Sequence, residues 1–346
     1  MEMRKKFDEI FEDCTKLGTK IKTDGYHSNG KHPIIDQGQE MVAGFTDLED
    51  GLLDAVPAIV FGDHTRIIKY VDCPFFLGAD GVKVLRSKVP NANYRYLYYA
   101  LKNAKIPNTG YNRHYKWLKE LEIEYPPIDQ QVKTVKVLDK VESIIYNRQN
   151  QLQKLDELVK ARFVEMFGDP VTNPMDWPTK PLLEMGYCKN GMNFHTGDSG
   201  IEMHCLGVGD FKDYSVIDGT DYLPTISLNE APPEESMLQD GDLVFVRSNG
   251  NKALVGRCLL VYPHNTPTTY SGFCIRYRLT SAEVNIAYLL RVLKTDSMRK
   301  KMAGRGANIQ NLNQQILAAL NIPTPPLELQ EWFTAFIEQI DKSKVA

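Results

Sequence analysis

The longest regular feature of the sequence is a periodic run of apolar residues that begins after Pro126-Pro127. Apolar residues recur there at three- and four-residue spacing, and no Gly or Pro follows until Gly168. The run comprises Ile128, Val132, Val135, Leu138, Val141, Ile145, Leu152, Leu155, Val159, Phe163 and Met166. This spacing predicts one helix from Ile128 to Phe167, roughly 60 Å long at about 1.5 Å per residue. Its length favours a coiled-coil arm over two core helices broken near 147–150.

Shorter patterns on both sides of this helix predict strands and further helices. Helical spacing covers 94–103 and 285–302, and Gly and Pro turn signals are dense elsewhere. Apolar runs typical of strands lie at 58–61, 82–85, 243–246, 257–261 and 273–277. The sequence therefore predicts an α+β fold, with two loop-rich α/β modules separated by a long helix.

One segment occurs twice in the chain. The sequence Tyr-Pro-Pro-Ile-Asp-Gln-Gln at 125–131 recurs as Thr-Pro-Pro-Leu-Glu-Leu-Gln at 324–330. Each copy follows a basic stretch with a Gly-x-Asn and precedes an amphipathic segment. Proline at a first helical position and an acid in the first turn both favour a helix start. The repeat predicts the order module, long helix, module, short helix.

Charge is strongly segregated although the formal net charge is only −3. Nine basic residues and no acidic one lie between 81 and 119. Between 243 and 327, eleven Lys and Arg stand against Glu283 and Asp296. Such asymmetry favours a polyanionic partner more than the total charge does, and solvated basic helix faces are the other reading.

The sequence contains no constellation typical of an enzyme or a metal site. It has no Gly-x-x-x-x-Gly-Lys-Ser/Thr loop, no Asn/Asp-Pro-Pro-Tyr/Phe loop and no His-Glu-x-x-His. We therefore expect a non-catalytic protein without cofactor or metal, and a hydrolase using a loop histidine such as His195 is the alternative. The six cysteines include no Cys-x-x-Cys pair, and the sequence has no long apolar span. Both features predict that the protein is located in the reducing cytoplasm.

Residues suited to DNA contacts cluster in the basic segments. Lys and Arg neutralise phosphates, and Arg, Asn and Gln can read purine edges. The candidates are Lys83, Arg86, Asn112, Arg113, Lys116, Arg247, Asn249, Lys252, Arg276, Arg299, Lys300, Lys301, Arg305, Asn308 and Gln310.

The chain resembles the specificity subunit of type I restriction-modification systems. The motifs that carry the resemblance stand in the family's order along nearly the whole chain. They are Ile-Ile-Asp-Gln-Gly-Gln at 34–39, Pro-Pro-Ile-Asp-Gln-Gln at 126–131, Phe-Gly-Asp-Pro at 167–170, Asn-Pro-Met-Asp-Trp at 173–177 and Pro-Pro-Leu-Glu-Leu-Gln at 325–330.

The resemblance implies target recognition domains at 1–127 and 169–326 that each read half of a split duplex sequence. It implies conserved helices at 128–168 and 327–346 that form an antiparallel coiled coil and set the half-site separation. The expected partners are double-stranded DNA, methyltransferase subunits and, through them, a restriction subunit. A coiled-coil adaptor without sequence-specific DNA binding is the alternative function.

The second conserved helix is only about 20 residues long, where the family's is usually comparable to the first. We therefore expect the part of the first helix near 149–167 to lack a partner within the chain. Its apolar stripe predicts a subunit interface or a site of self-association. The stripe consists of Leu152, Leu155, Val159, Phe163 and Met166.

Overall fold

The computed structural model describes residues 4–78, 80–195, 197–211, 215–303 and 311–345. The chain divides into two compact units, Met1–Gln149 and Asn150–Ala346, called here the first and the second unit. The long helix spans Ile128–Phe167, as the apolar spacing predicts, and crosses the boundary between the units. In the described parts of the chain, no helix is both long and apolar enough to span a membrane.

The first unit mixes short strands with helices. Its elements are β1 Arg4–Lys6, α1 Phe7–Ile10, β2 Phe11–Asp13, β3 His32–Ile35, β4 Gly44–Thr46, β5 Ala58–Gly62, β6 Ile68–Val71, β7 Phe76–Leu77, β8 Val82–Ser87, α2 Tyr94–Lys102, α3 Tyr115–Lys119, β9 Glu122–Glu124 and the start of α4, Ile128–Phe167.

The second unit begins within α4 and, like the first, mixes short strands with helices. Its further elements are β10 Thr179–Pro181, β11 Gly186–Asn190, β12 Ile201–Leu206, β13 Val216–Asp218, β14 Thr225–Leu228, β15 Asp242–Val246, β16 Cys258–Tyr262, β17 Thr268–Tyr270, β18 Cys274–Leu279, α5 Ile286–Lys294, α6 Asp296–Ala303, α7 Gln314–Ala318, β19 Asn321–Pro323 and α8 Leu327–Val345.

Sheet topology is repeated between the units. The first unit has a sheet in the order β2-β8-β5-β6 and a second in the order β4-β3-β7. The second unit has β11-β18-β15-β16 followed by an added β13, and β14-β12-β17. Within each three-stranded sheet the central strand pairs with one neighbour antiparallel and with the other parallel. The repeat of 125–131 at 324–330 thus marks a duplication of the whole module.

The main sheet of each unit is covered on both faces, so its central strands are apolar at consecutive positions. In β15, Leu243 and Phe245 belong to one hydrophobic cluster, whereas Val244 and Val246 belong to another. In β5, Ile59 likewise faces a different cluster from Val60. Two-sided burial explains why short continuous apolar runs predict these strands.

The repeated Pro-Pro segment ends in a glutamine that makes the same side-chain hydrogen bond in both copies. Gln131 is buried, and its Nε2 donates to the carbonyl of Pro126 over 2.8 Å. Gln330 is also buried, and its Nε2 donates to the carbonyl of Pro325 over 2.7 Å. Each glutamine therefore ties a helix start to the chain that enters it, which explains the recurring spacing.

Ionic and tyrosine contacts hold the first half of α4 against α2. Arg95 Nη2 lies 2.5 Å from Asp139 Oδ1, to which the Tyr99 hydroxyl donates over 2.6 Å. One turn later, Lys102 Nζ lies 2.6 Å from Glu142 Oε1. Burial raises the pKa of Asp139, but the hydrogen bonds from Tyr99 and Arg95 lower it on balance.

The second half of α4 packs against α8, and this corrects one expectation. The Phe333 ring lies 5.6 Å from that of Phe163 and 5.4 Å from that of Phe167, and Lys344 Nζ lies 2.8 Å from Asp156 Oδ1. The two helices therefore run antiparallel within the second unit.

The prediction that the stripe at 149–167 is uncovered is wrong. Val159 and Phe163 are buried in the core of the second unit, and Leu155 and Met166 pack against that core. Leu152 is half-buried. The reason is register: α8 starts beside the end of α4, so its short length covers this part of the long helix. Coiled-coil packing of the pair stays a prediction.

We expect Phe333→Ala to destabilise the second unit by about 3–5 kcal/mol, because it removes a fully buried ring from the aromatic cluster. Denaturant unfolding followed by circular dichroism measures the change. Trp332→Ala is the matched control, since this neighbouring ring is about half exposed and should cost about 1 kcal/mol. Equal costs for the two variants would contradict the assignment of α8 to the core.

Candidate nucleic-acid interface

Three loops of the first unit are joined by backbone hydrogen bonds just after β5. The Asp63 amide donates to the carbonyl of Gly81 over 2.7 Å, and the His114 amide donates to the carbonyl of Asp63 over 2.8 Å. The first bond joins the loops after β5 and before β8, and the second adds the loop before α3. Side chains from all three loops are therefore held near one place.

The second unit repeats this arrangement after β15. The Arg247 amide donates to the carbonyl of Phe273 over 2.7 Å, and the Leu312 amide donates to the carbonyl of Arg247 over 2.7 Å. Arg247 thus corresponds to Asp63 in the first unit, and Phe273 corresponds to Gly81. Equivalent loops meet at equivalent places, while their side chains differ.

The side-chain amide of Gln37 links two of these loops of the first unit by hydrogen bonds. Gln37 Oε1 accepts the amide of His64 over 3.2 Å, and Gln37 Nε2 donates to the carbonyl of Asp80 over 3.0 Å. The His64 ring stacks on that of Tyr111, with centroids 4.7 Å apart and planes 9° from parallel. Tyr111 remains 88% exposed. We call this site, with the adjoining Asn112 and Arg113, the first tip.

The predicted residues Asn112, Arg113 and Lys116 are exposed at or beside the first tip. Lys20 and, more weakly, the positive charge of Arg113 hold the pKa of Asp80 below its ordinary value. The tip therefore combines an open aromatic face with cationic and amide groups, the combination that nucleic-acid surfaces use.

Two predicted residues of the first unit are occupied within its sheet. Lys83 Nζ lies 2.8 Å from Asp13 Oδ2 and 4.8 Å from the centre of the Tyr115 ring. Arg86 stands opposite Glu12 in the strand register, and its Nε is buried. The ion pair holds Lys83 within the sheet, and the Nε of Arg86 is buried without a hydrogen-bond partner among the described residues.

The second tip is a pocket of about 580 Å³. It brings together the predicted Asn249 and Lys252 with residues that sequence reasoning missed. Beside it, Arg247 Nη1 donates to the carbonyl of Gly272 over 3.2 Å, which fixes the loop before β18. The second tip comprises Val208, Ser248, Asn249, Gly250, Lys252, Phe273 and Asn311.

Arg276 is not a surface residue, and its prediction as a DNA contact is wrong. The side chain is fully buried in β18. Its Nη2 donates to the carbonyl of Glu235 over 3.2 Å, and its guanidinium lies 5.0 Å from the centre of the Tyr187 ring. Asp242 supplies a buried counter-charge at 3.8 Å. These neighbours enclose the guanidinium, so it has no route to solvent.

Helix α6 carries three basic residues that were predicted to contact DNA, and they differ in exposure. Arg299 is half-buried, and its Nη2 donates to the carbonyl of Ala253 over 3.0 Å, so it anchors the chain next to the second tip instead of facing outward. Lys300 and Lys301 are exposed on the same helix. The predicted Arg305, Asn308 and Gln310 lie outside the described residues.

The residues that sequence reasoning missed at the tips have no motif of their own. Phe273 was assigned to a strand that in fact begins at Cys274. Asn311 reaches the second tip through a bridge to Ser248. Aligning the hydrogen-bonded loops of the two units, once the duplication is recognised, is the signal that finds these positions.

Over the described residues, no three His, Cys, Asp or Glu side chains are placed to hold a metal ion. His195 is exposed in a loop, where its backbone amide donates to Asp198 over 2.8 Å.

Comparison with protein families gives a match over most of the chain. The model of the type I restriction modification DNA specificity domain matches residues 3–157 and 229–346. The type I restriction enzyme StySPI specificity subunit of Salmonella potsdam is 28% identical over 157 residues, which are 44% of this chain and 33% of that protein. The EcoR124I/EcoR124II specificity subunit of Escherichia coli is 31% identical over 94 residues, 26% of this chain and 23% of that protein. The matches thus span a third or less of these curated relatives.

Two solved structures share the fold. One is the S subunit of a type I restriction-modification system from M. genitalium, with TM-score 0.58 and 16% identity over 99% of this chain and 89% of that chain. The other comes from a study of complex assembly and conformational transition of the type I R-M system. It has TM-score 0.53 and 16% identity, over 99% of this chain and 90% of that chain.

Proposed function

The chain belongs to the family of type I restriction-modification DNA specificity domains, and from that membership we propose that it is a non-catalytic subunit that reads a split DNA sequence. The first and second tips each contact one half of the target duplex. The recognition domains are 1–127 and 169–326, and the conserved helices are 128–168 and 327–346.

The observation that carries this proposal is the duplicated tip. The same loops meet after β5 and after β15, yet one tip presents His64 and Tyr111 where the other presents Phe273 and Asn249. A repeated scaffold with different exposed side chains suits the reading of two different sequences. A shared catalytic or ligand site would need the same chemistry in both copies.

The candidate residues at and beside the tips divide into proposed phosphate and base contacts. Lys and Arg fix position on the duplex backbone, whereas amide side chains in the major groove distinguish bases. We assign Lys116, Lys252, Lys300 and Lys301 to phosphates. The base-reading candidates are Asn112, Arg113, Arg247 and Asn249.

We expect the double change Lys300→Ala and Lys301→Ala to weaken binding to all duplexes. The slope of log K against log salt should fall in magnitude by about two, because about one counterion is released per phosphate contact. By contrast, Asn249→Ala should cost about 1–3 kcal/mol at a single base pair. Fluorescence anisotropy over a salt series measures both.

Lys136→Ala with Lys140→Ala, two exposed lysines of α4, is the matched control and should leave the slope unchanged. Binding by the unaltered chain that ignores both salt and sequence would contradict DNA recognition and favour a protein adaptor.

We further propose that α4 sets the distance between the two half-sites. It is one helix of 40 residues that takes part in both units, and a helix of this length measures roughly 60 Å. A stiff connection between two readers makes the spacing between their targets a fixed quantity.

Inserting seven residues after Gln149 tests this ruler. Seven residues make nearly two whole turns, so the insertion lengthens α4 by about 10.5 Å with little rotation. The preferred spacer should grow by about three base pairs at about 3.4 Å each, with both half-sites unchanged. Selection from duplexes with randomised spacer lengths measures the preference, and altered half-sites would contradict the proposal.

The first half of α4 carries the surface that we propose for a methyltransferase subunit. Val137, Val141, Ile144 and Ile145 share one helical face and are between 44% and 61% exposed. The adjoining face of this segment packs on the first unit through Val135 and Leu138. A continuous apolar stripe of this kind is typical of a protein interface.

We expect Val141→Glu with Ile145→Glu to abolish co-elution with the methyltransferase subunit, because two charges would be buried without partners. DNA binding by the chain itself should persist. Leu158→Glu is the control, since Leu158 is similarly exposed but lies in the second half of α4. Size-exclusion chromatography of the co-expressed proteins measures the outcome, and retained co-elution of the double variant would place the interface elsewhere.

A further inference from the structure

An aromatic ring at the second tip is largely open to solvent. The Phe273 side chain is 61% exposed, although its neighbour Cys274 is fully buried. The ring borders the pocket that Ser248, Asn249 and Asn311 also line. An exposed phenylalanine among amide and hydroxyl groups is the arrangement expected at the centre of a binding surface.

The backbone under this ring is fixed. The Phe273 carbonyl accepts the amides of Arg247 over 2.7 Å and Ser248 over 3.3 Å. The preceding Gly272 donates its amide to Met192 over 2.7 Å and accepts Arg247 Nη1 over 3.2 Å. The ring is thus presented by a rigid turn, so little backbone freedom is lost when a ligand covers it.

The duplication supplies an internal comparison for this position. Gly81 corresponds to Phe273, because its carbonyl accepts the amide of Asp63 as the Phe273 carbonyl accepts that of Arg247. Gly81 has φ +93° and no side chain, whereas Phe273 does not adopt a positive φ, so the two loops share this hydrogen bond and differ in backbone conformation. The Phe273 ring is available for recognition by the second unit alone.

We propose that Phe273 determines part of the sequence specificity of the second unit by contacting the 5-methyl group of a thymine in the major groove. The inference rests on the proposed function, DNA recognition by the tips. A phenyl ring has no hydrogen-bonding group, and the thymine methyl is the one apolar group that a base pair presents in the major groove. The amides of Asn249 and Asn311 lie in the same pocket and suit the polar edges of neighbouring bases.

The test begins with selection from a randomised duplex pool by the full chain and by Phe273→Ala. The unaltered chain should enrich a thymine at one position of one half-site, and the variant should lose that preference while keeping the rest of the target. Tyr222→Ala is the matched control, because Tyr222 is 62% exposed in the same unit but does not line the pocket. It should select the unaltered target.

A base analogue then removes the methyl group without changing the protein. Replacing the selected thymine by deoxyuridine should weaken binding by the unaltered chain about fourfold, the value of one buried methyl group. The Phe273→Ala variant should bind both duplexes equally. Phe273→Leu, which keeps an apolar side chain, should retain part of the discrimination.

Each outcome has one meaning. If the unaltered chain enriches no sequence, the proposed function fails. If it enriches a target and Phe273→Ala enriches the same target, the function stands and the inference fails. Reduced affinity of Phe273→Ala with unchanged base preference would identify the ring as a wedge between base steps and would also overturn methyl recognition.

Discussion

Helix α4 must be held along both of its halves, and the two halves are held by different forces. The second half is fixed mainly by burial of aromatic rings against α8, which depends little on pH or salt, with the Lys344–Asp156 ion pair beside them. The first half is fixed through Asp139 and Glu142, whose pKa values are lowered on balance by hydrogen bonds and nearby cations despite burial. A carboxylate with a lowered pKa stabilises the fold above its unfolded pKa and loses that effect as the pH falls through its folded pKa. Acid therefore loosens the attachment in the first unit before the one in the second.

Much of the fold follows from the sequence because its signals are local. The predicted bounds of α4, Ile128–Phe167, are confirmed. The helix is delimited by Pro127, which precedes its first residue, and by Gly168, which follows its last. The helix predicted at 285–302 is instead two helices, α5 and α6. Thr295 between them is extended, and its hydroxyl accepts the amide of Met298 over 3.4 Å. The Thr-Asp-Ser at 295–297 is a helix-start signal that the apolar periodicity concealed.

The sites were harder to predict because exposure is decided by tertiary contacts. Arg276 and Lys300 are both basic residues in basic segments of the sequence. The Arg276 side chain is nevertheless fully buried in a strand, whereas Lys300 is exposed on a helix. Asn249 and Lys252 were found because a polar run with Asn-Gly marks a loop. Phe273 was missed because a phenylalanine beside a strand is usually part of a core. The register of α8 on α4 was also beyond local reasoning, since it depends on which aromatic rings meet.

The position of the boundary between the units has an evolutionary consequence. Each unit contains its own sheets, its own hydrophobic clusters and its own stretch of α4, and the division falls at Gln149 and Asn150 inside a continuous helix. A genetic crossover at this point would transfer a complete core, whereas one at the Pro-Pro segments would separate a module from the helix that packs on it. The unit that such a crossover transfers is therefore a module together with half of the helix. Recombination within α4 can generate new pairs of tips while the folding of each parent unit is preserved.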